Sequence, residues 1–204
     1  MTVKSSINEP YININGHLKK RVLFVITQSD RGGAQRFLLN LLTHLDKEKY
    51  EAMVAIGNTG NGDLFRAFHA EGIPTHRLAH LVRDANLKED LKAVTELRKL
   101  IKEYHPSTVF LNSSKAGFIG SLAARYPTKL KNTKIVYRIG GWSFNDPGTH
   151  WQKWSWKVLE WFSAKWKDVI IVNNQPDFDQ AIKLKIKPRK KLALVYNGIE
   201  TYKL

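Results

Sequence analysis

Two adjacent glycines, Gly32 and Gly33, stand between an apolar run, RVLFVITQ at residues 21–28, and a stretch in which Phe37, Leu38, Leu41, Leu42 and Leu45 recur every three or four residues. Glycine at a strand-to-helix junction lets another group approach the backbone, and the free N–H groups of a helix N-terminus attract phosphate. The chemistry on offer is a cradle for a diphosphate, with Arg36 one turn on adding charge; the plain alternative is a tight turn. A second stretch, NSSKAGFIGSLAAR at residues 112–125, has the same character. Ser113 or Ser114 can cap a helix there. Lys115 in its first turn opposes the helix dipole, and makes better sense with an anion beside it. Gly117 and Gly120 allow close helix packing, and Phe118, Ile119 and Leu122 read as core.

Acid–base candidates are fewer. His44, His69, His76 and His80 fall in or beside helices and a short strand, and read as surface or packing residues. His150 and Asp146 lie in a loop of interest, although Asp146-Pro147-Gly148 also reads as an ordinary turn. No His, Asp and Glu grouping has the spacing of metal ligands. The chain has no cysteine, which excludes disulfides, thiolate catalysis and cysteine-bound metal.

The elements that must position these residues alternate along the 204-residue chain. Strands are predicted at residues 21–28, 50–57, 73–78, 108–112, 134–139, 168–173 and 192–198. Helical patterns separate them, including residues 86–106, where Leu87, Leu91, Val94, Leu97 and Ile101 share a face. Alternation of this kind predicts an α/β fold: a Rossmann-like, doubly wound, mainly parallel sheet with helices on both faces. Ligands then bind beyond the carboxyl ends of the strands. The polar loops SDRGGAQ, NSSKAG, GGWSFNDPG and NNQPD all fall there. The expected organisation is a polar, poorly ordered tail at 1–19, one domain at 20–197, and the start of an interdomain linker at 198–204.

One helix, WQKWSWKVLEWFSAKW at 151–166, is rich in tryptophan. A helical wheel gathers Trp151, Trp154, Val158, Trp161, Phe162 and Trp166 on one broad face, which reads as core. Trp156 falls opposite, among Lys153, Lys157 and Lys167. A ring amid lysines suits a membrane surface, or else Trp156 is tucked under a loop. The net charge of +15 favours anionic partners. No apolar run approaches the length of a spanning helix, and the first residues lack a signal peptide's apolar stretch, so a cytoplasmic protein, peripheral at the inner face of the membrane, is expected.

Taken in order, GGAQRFLLNLL, NSSKAGFIGSLAAR, VYRIGGWSFNDP, DVIIVNN and LVYNGIE resemble the N-terminal half of a family 4 glycosyltransferase of the GT-B fold. The resemblance implies two Rossmann-like domains facing a cleft, with the N-terminal one receiving the acceptor. It implies transfer of a sugar from a nucleotide-sugar with retained anomeric configuration and no metal cofactor. Gly32 and Gly33, with Arg36, would meet the donor diphosphate. Asn112, Ser113, Ser114, Lys115, Gly140, Gly141 and Trp142 would line the side of a sugar or lipid-linked acceptor. The family often has His-Gly where this chain has Gly140-Gly141, so the catalytic residue is left unassigned. A small serine often stands where this chain has Asn174. The donor domain, with its paired acids, would follow residue 204 or come from a second chain, and these residues alone would be inactive. The competing reading is a non-catalytic basic domain docking on anionic lipid or a partner protein, which Gly140 favours and the glycine loop opposes. Nucleic acid is not expected as a partner, because no recognition motif accompanies the charge.

Overall fold

The computed structural model describes residues 19–125 and 133–198. Residues 1–18 of the predicted tail and residues 199–204 of the predicted linker lie outside the described residues. In chain order the elements are β1 (Lys20–Gln28), α1 (Gly33–Thr43), β2 (Tyr50–Thr59), α2 (Asp63–Ala70), β3 (Thr75–Leu78), α3 (Leu87–Tyr104) and β4 (Thr108–Leu111). After them come α4 (Ser114–Arg125), β5 (Lys134–Ile139), α5 (His150–Ser163), β6 (Val169–Val172), α6 (Gln175–Lys183) and β7 (Lys191–Leu194). The strands form one sheet in the order β3-β2-β1-β4-β5-β6-β7, and every neighbouring pair is parallel. The expected fold is therefore present, with each predicted element within a few residues of its place.

β1 explains why its sequence lacks alternation. Val22, Phe24 and Ile26 pack on one face with Leu38 and Leu42 of α1 and Leu64 and Phe68 of α2. Leu23 and Val25 pack on the other with Leu97 and Ile101 of α3 and Ile119 of α4. A strand covered on both faces needs apolar residues at every position. The chain runs outward from β1 to β2 and β3, then returns to place β4 on the other side of β1. This reversal opens a crevice beyond the carboxyl ends of β1 and β4, where α/β folds bind ligands.

Two packing expectations are corrected. In α3, Val94, Leu97 and Ile101 are buried, whereas Leu87 and Leu91 are 78% and 59% exposed. The first turn of α3 is held by polar contacts instead. Asn86 accepts a hydrogen bond from the Glu89 N–H, and Asp90 pairs with Lys115.

The second correction turns α5 around. Trp151, Trp154, Val158, Trp161 and Phe162, predicted as core, are 40–70% exposed, while Trp156 packs against the core. Only Trp166 of the predicted face is partly covered, against Phe118 and Phe162. The cause is a buried polar cluster. Glu160 of α5 accepts a hydrogen bond from the Tyr137 hydroxyl at 2.7 Å. The Lys167 ammonium reaches Glu160 at 3.1 Å and Ser163 at 2.8 Å, and sits 4.1 Å from the centre of the Tyr137 ring. Lys167 is fully buried, so it contacts no membrane. A buried ammonium requires its carboxylate inside, and that requirement orients α5 against its own apolar face.

Candidate functional site

The β1–α1 turn is braced from one side by the loop after β2. Ser29 N donates to the Thr59 carbonyl at 2.8 Å, and Leu64 N donates to the Ser29 carbonyl at 2.8 Å. The Asp30 carboxylate accepts from Asn61 N at 2.8 Å, and the Ser29 hydroxyl accepts from Gly62 N at 3.1 Å. With residues 29 and 30 held, Gly32 enters α1 as its N-cap at φ −93°, and no side chain caps the helix. No acid lies in the first turn, so the positive end of the helix dipole is not offset by a side chain within it.

The glycines themselves are informative. Neither Gly32 nor Gly33 has a positive φ. A Cβ on Gly33 would meet nothing within 4 Å, whereas one on Gly32 would come within 2.8 Å of Gln35 Oε1, the end of a buried side chain whose amide donates to the Gln28 carbonyl at 3.2 Å. The fold therefore has no need of glycine at position 33, and both glycines are exposed, as is Arg36. Gly117 is the opposite case. A Cβ there would come within 2.5 Å of the Tyr137 ring.

The β4–α4 loop faces the same crevice, yet most of its polar side chains are engaged internally; the buried Asn112 Oδ1 is left without a partner. Asn112 is buried, and its amide donates to the Ala34 carbonyl in the first turn of α1 at 3.0 Å. That bond makes Asn112 a brace for the glycine turn. The Ser113 hydroxyl shares a hydrogen bond with Thr27 at 2.7 Å and accepts from Ala116 N at 3.3 Å. The Ser114 hydroxyl accepts from Ser143. Lys115 pairs with Asp90 at 2.8 Å and also donates to the Asp84 carbonyl. The anion implied by a lysine at a helix N-terminus is thus a carboxylate of α3.

In the β5–α5 loop, Gly140 and Gly141 are exposed, and Gly141 has φ +156°. Trp142 is fully buried, donates its indole N–H to the Asp177 carbonyl at 2.9 Å, and stacks on Phe144. Trp142 is therefore core, which corrects its expected place on an acceptor surface. Asp146 and His150 are exposed. Asn174 caps α6 by accepting from Asp177 N at 2.8 Å. His80, read from sequence as a surface or packing residue, follows β3 in a carboxyl-end loop and is bonded to Glu89 at 2.7 Å. Among the described residues no three His, Asp or Glu side chains are grouped to hold a metal.

Sequence reasoning did not single out Arg138. It is buried near the end of β5, with its guanidinium 3.6 Å from the centre of the Phe37 ring and bonded to the Asn197 side chain at 2.8 Å. Burial pulls its pKa down to about 10. A Cβ on Gly140 would lie 3.5 Å from this guanidinium, so the charge sits directly beneath the glycine loop. Arginine inside an otherwise buried strand was the available signal, because an interior charge is rare without a role.

Of the residues expected to contact a membrane, Lys153 is half-buried and Lys157 is exposed. No described helix is long and apolar enough to cross a membrane.

Residues 31–203 match the sequence model of Glycosyltransferase Family 4. The chain is similar to the UDP-Gal:alpha-D-GlcNAc-diphosphoundecaprenol alpha-1,3-galactosyltransferase of Escherichia coli. The two are 27% identical over 192 residues, covering 92% of this chain and 47% of that protein. Among solved structures, Anabaena HepE in complex with UDP and glucose superimposes with a TM-score of 0.66 at 16% identity, covering 88% of this chain and 45% of HepE. The UDP-GlcNAc 2-epimerase of Neisseria meningitidis bound to UDP-GlcNAc gives a TM-score of 0.61 at 15% identity, covering 88% of this chain and 47% of the epimerase. The two structures share the fold with this chain. The chain spans about half the length of these relatives.

Proposed function

We propose a function from one premise: the chain belongs to Glycosyltransferase Family 4. These residues form the acceptor-side half of an enzyme that transfers a sugar, with retention, from a nucleotide-sugar to a lipid-linked acceptor. The observation that carries the reading is the α1 N-terminus, which is exposed, uncapped by any side chain, and carries at Gly33 a glycine for which the fold has no need. Backbone N–H groups there can receive the donor's diphosphate and the charge that grows on it as the glycosidic bond breaks. Arg36 adds positive charge one turn away. A UDP-sugar as donor is supported by the uridine nucleotides named for HepE and the epimerase, and a diphosphate-linked lipid as acceptor by the name of the Escherichia coli galactosyltransferase.

The exposed Gly140-Gly141 loop forms the acceptor side, opposite the glycine turn. With Ser113 and Ser114 bonded within the protein and the Asn112 amide held by α1, the loop backbone is left to meet the acceptor. No side chain stands at Gly140, so this half contributes positioning, and the remaining contacts come from a donor-holding half. Because the chain spans about half of its relatives, the 204 residues alone are expected to show negligible transfer. The test combines the chain with a donor-holding domain and supplies a UDP-sugar with a prenyl-diphosphate-linked sugar. Transfer that requires both halves is the expected result, and turnover by the chain alone would contradict it.

A further inference from the structure

Trp151, Trp154, Val158, Trp161 and Phe162 run along one side of α5 and face water. The Trp151 and Trp154 rings stack with centres 4.9 Å apart, and the Lys165 ammonium lies 4.8 Å from the centre of the Trp161 ring. With about half of the ~150–250 Å² an aromatic side chain can bury left open on each ring, the patch is on the order of 400–500 Å². Patches of that size on a monomer are commonly functional. The helix does not need this face to stay folded, since it starts with a Thr149–Gln152 capping box and is anchored inward by Trp156 and Glu160.

The exposed charges of α5 and the turn that follows it have one sign. Lys157 and Lys165 are exposed and Lys153 is half-buried, whereas Glu160, the one acid of α5, is buried against Lys167. Indole rings interleaved with lysines match a headgroup region, where the rings sit at the boundary of the acyl chains and the ammonium groups meet phosphate. A second copy of this chain fits poorly. The patch falls short of the roughly 800 Å² per partner of a stable interface, and a two-fold contact would set lysine against lysine.

We propose that this face of α5 docks on an anionic lipid bilayer. The proposal deepens the reading of a lipid-linked acceptor and rests on it for its purpose. α5 follows directly from the Gly140-Gly141 loop, so docking along α5 brings the acceptor side of the crevice to the headgroups.

The test measures co-sedimentation and tryptophan fluorescence with phosphatidylglycerol and phosphatidylcholine vesicles. Binding to phosphatidylglycerol is expected to exceed binding to phosphatidylcholine by roughly tenfold and to fall with added salt. The double variant Trp151→Ala/Trp154→Ala is expected to lose roughly tenfold in vesicle affinity with an unchanged melting temperature, because both rings are exposed. Lys157→Glu/Lys165→Glu is expected to abolish the preference for anionic vesicles. Equal binding by the tryptophan variant, or no binding to phosphatidylglycerol, would overturn the proposal. So would a concentration-dependent dimer that the tryptophan variant abolishes, since a second copy would then be the occupant. Transfer to a short-chain, water-soluble diphosphate acceptor separates the two readings. If that transfer persists while vesicle binding fails, the docking face falls alone; if it fails while vesicle binding holds, the acceptor reading falls and the docking face stands.

Discussion

The N-termini of α1 and α4 stand side by side at the reversal of strand order, and they use their polar groups in opposite ways. At α4, Thr27, Ser113, Ser114 and Lys115 find partners within the protein. At α1, no side chain caps the helix, and Gly33 leaves open space where a Cβ would stand. Both loops are polar, glycine-containing and set at the carboxyl end of a central strand, so their sequences promise the same thing. Their contacts differ: one terminus completes the fold, and the other is left over for a ligand.

The sharpest way to break this contrast is to remove a partner on the internally satisfied side. Glu160→Ala strands the Lys167 ammonium and the Tyr137 hydroxyl in a dry interior, and is expected to cost about 3–5 kcal/mol in urea unfolding. The Tyr137 ring packs on Gly117 of α4, so Gly117→Ala is expected to cost about 1–3 kcal/mol through overpacking. Lys115→Met removes the ion pair with Asp90. Both side chains are largely covered and Asp90 is left without its partner, so a loss of about 1–3 kcal/mol is expected, with affinity for a UDP-sugar unchanged. A loss of donor affinity in Lys115→Met would erase the distinction between the two termini.

The smallest effect concerns the first turn of α3, which carries both Asp90 and Glu89. Hydrogen bonds from His80 and then from Lys92 hold the Glu89 carboxyl below the ordinary glutamate range. A lowered carboxyl pKa stabilises the fold above the unfolded value, and that contribution is lost as pH falls through the lowered one. The melting-temperature difference between the parent and Glu89→Gln is therefore expected to be small at neutral pH and to vanish as the pH falls through and below the ordinary glutamate range. A difference that grew on acidification would reverse the sign of the argument.

How much was legible follows from what each residue depends on. The fold was legible because β1 declares burial on both faces by its own composition, and because the polar loops fall where parallel strands end. Lys115 at a helix N-terminus correctly implied an anion, but Asp90 comes from a helix some twenty-five residues earlier in the chain, and only the fold pairs them. The direction of α5 was illegible for the same reason. A helical wheel weighs the residues of one helix, whereas Glu160 is drawn inward by Lys167 and Tyr137 from outside it. Trp142 was misplaced because a polar loop gave no sign of the Asp177 carbonyl waiting for its indole N–H. Arg138 was overlooked because a strand was read for apolarity, and its charge stacks on Phe37 of a distant element.

The central claim is that the α1 terminus is glycine-bearing for a ligand rather than for the fold. Gly33→Val tests it directly, in the enzyme assembled with its donor-holding half, with unfolding free energy and UDP-sugar affinity measured separately. Stability is expected to stay within about 1 kcal/mol of the parent, since valine is no worse than glycine in a helix and the space beside Gly33 is open. Affinity is expected to fall by roughly tenfold or more as the side chain blocks the approach of phosphate to the backbone. Unchanged affinity in the folded variant would contradict the account and leave Gly32 and Gly33 as a turn.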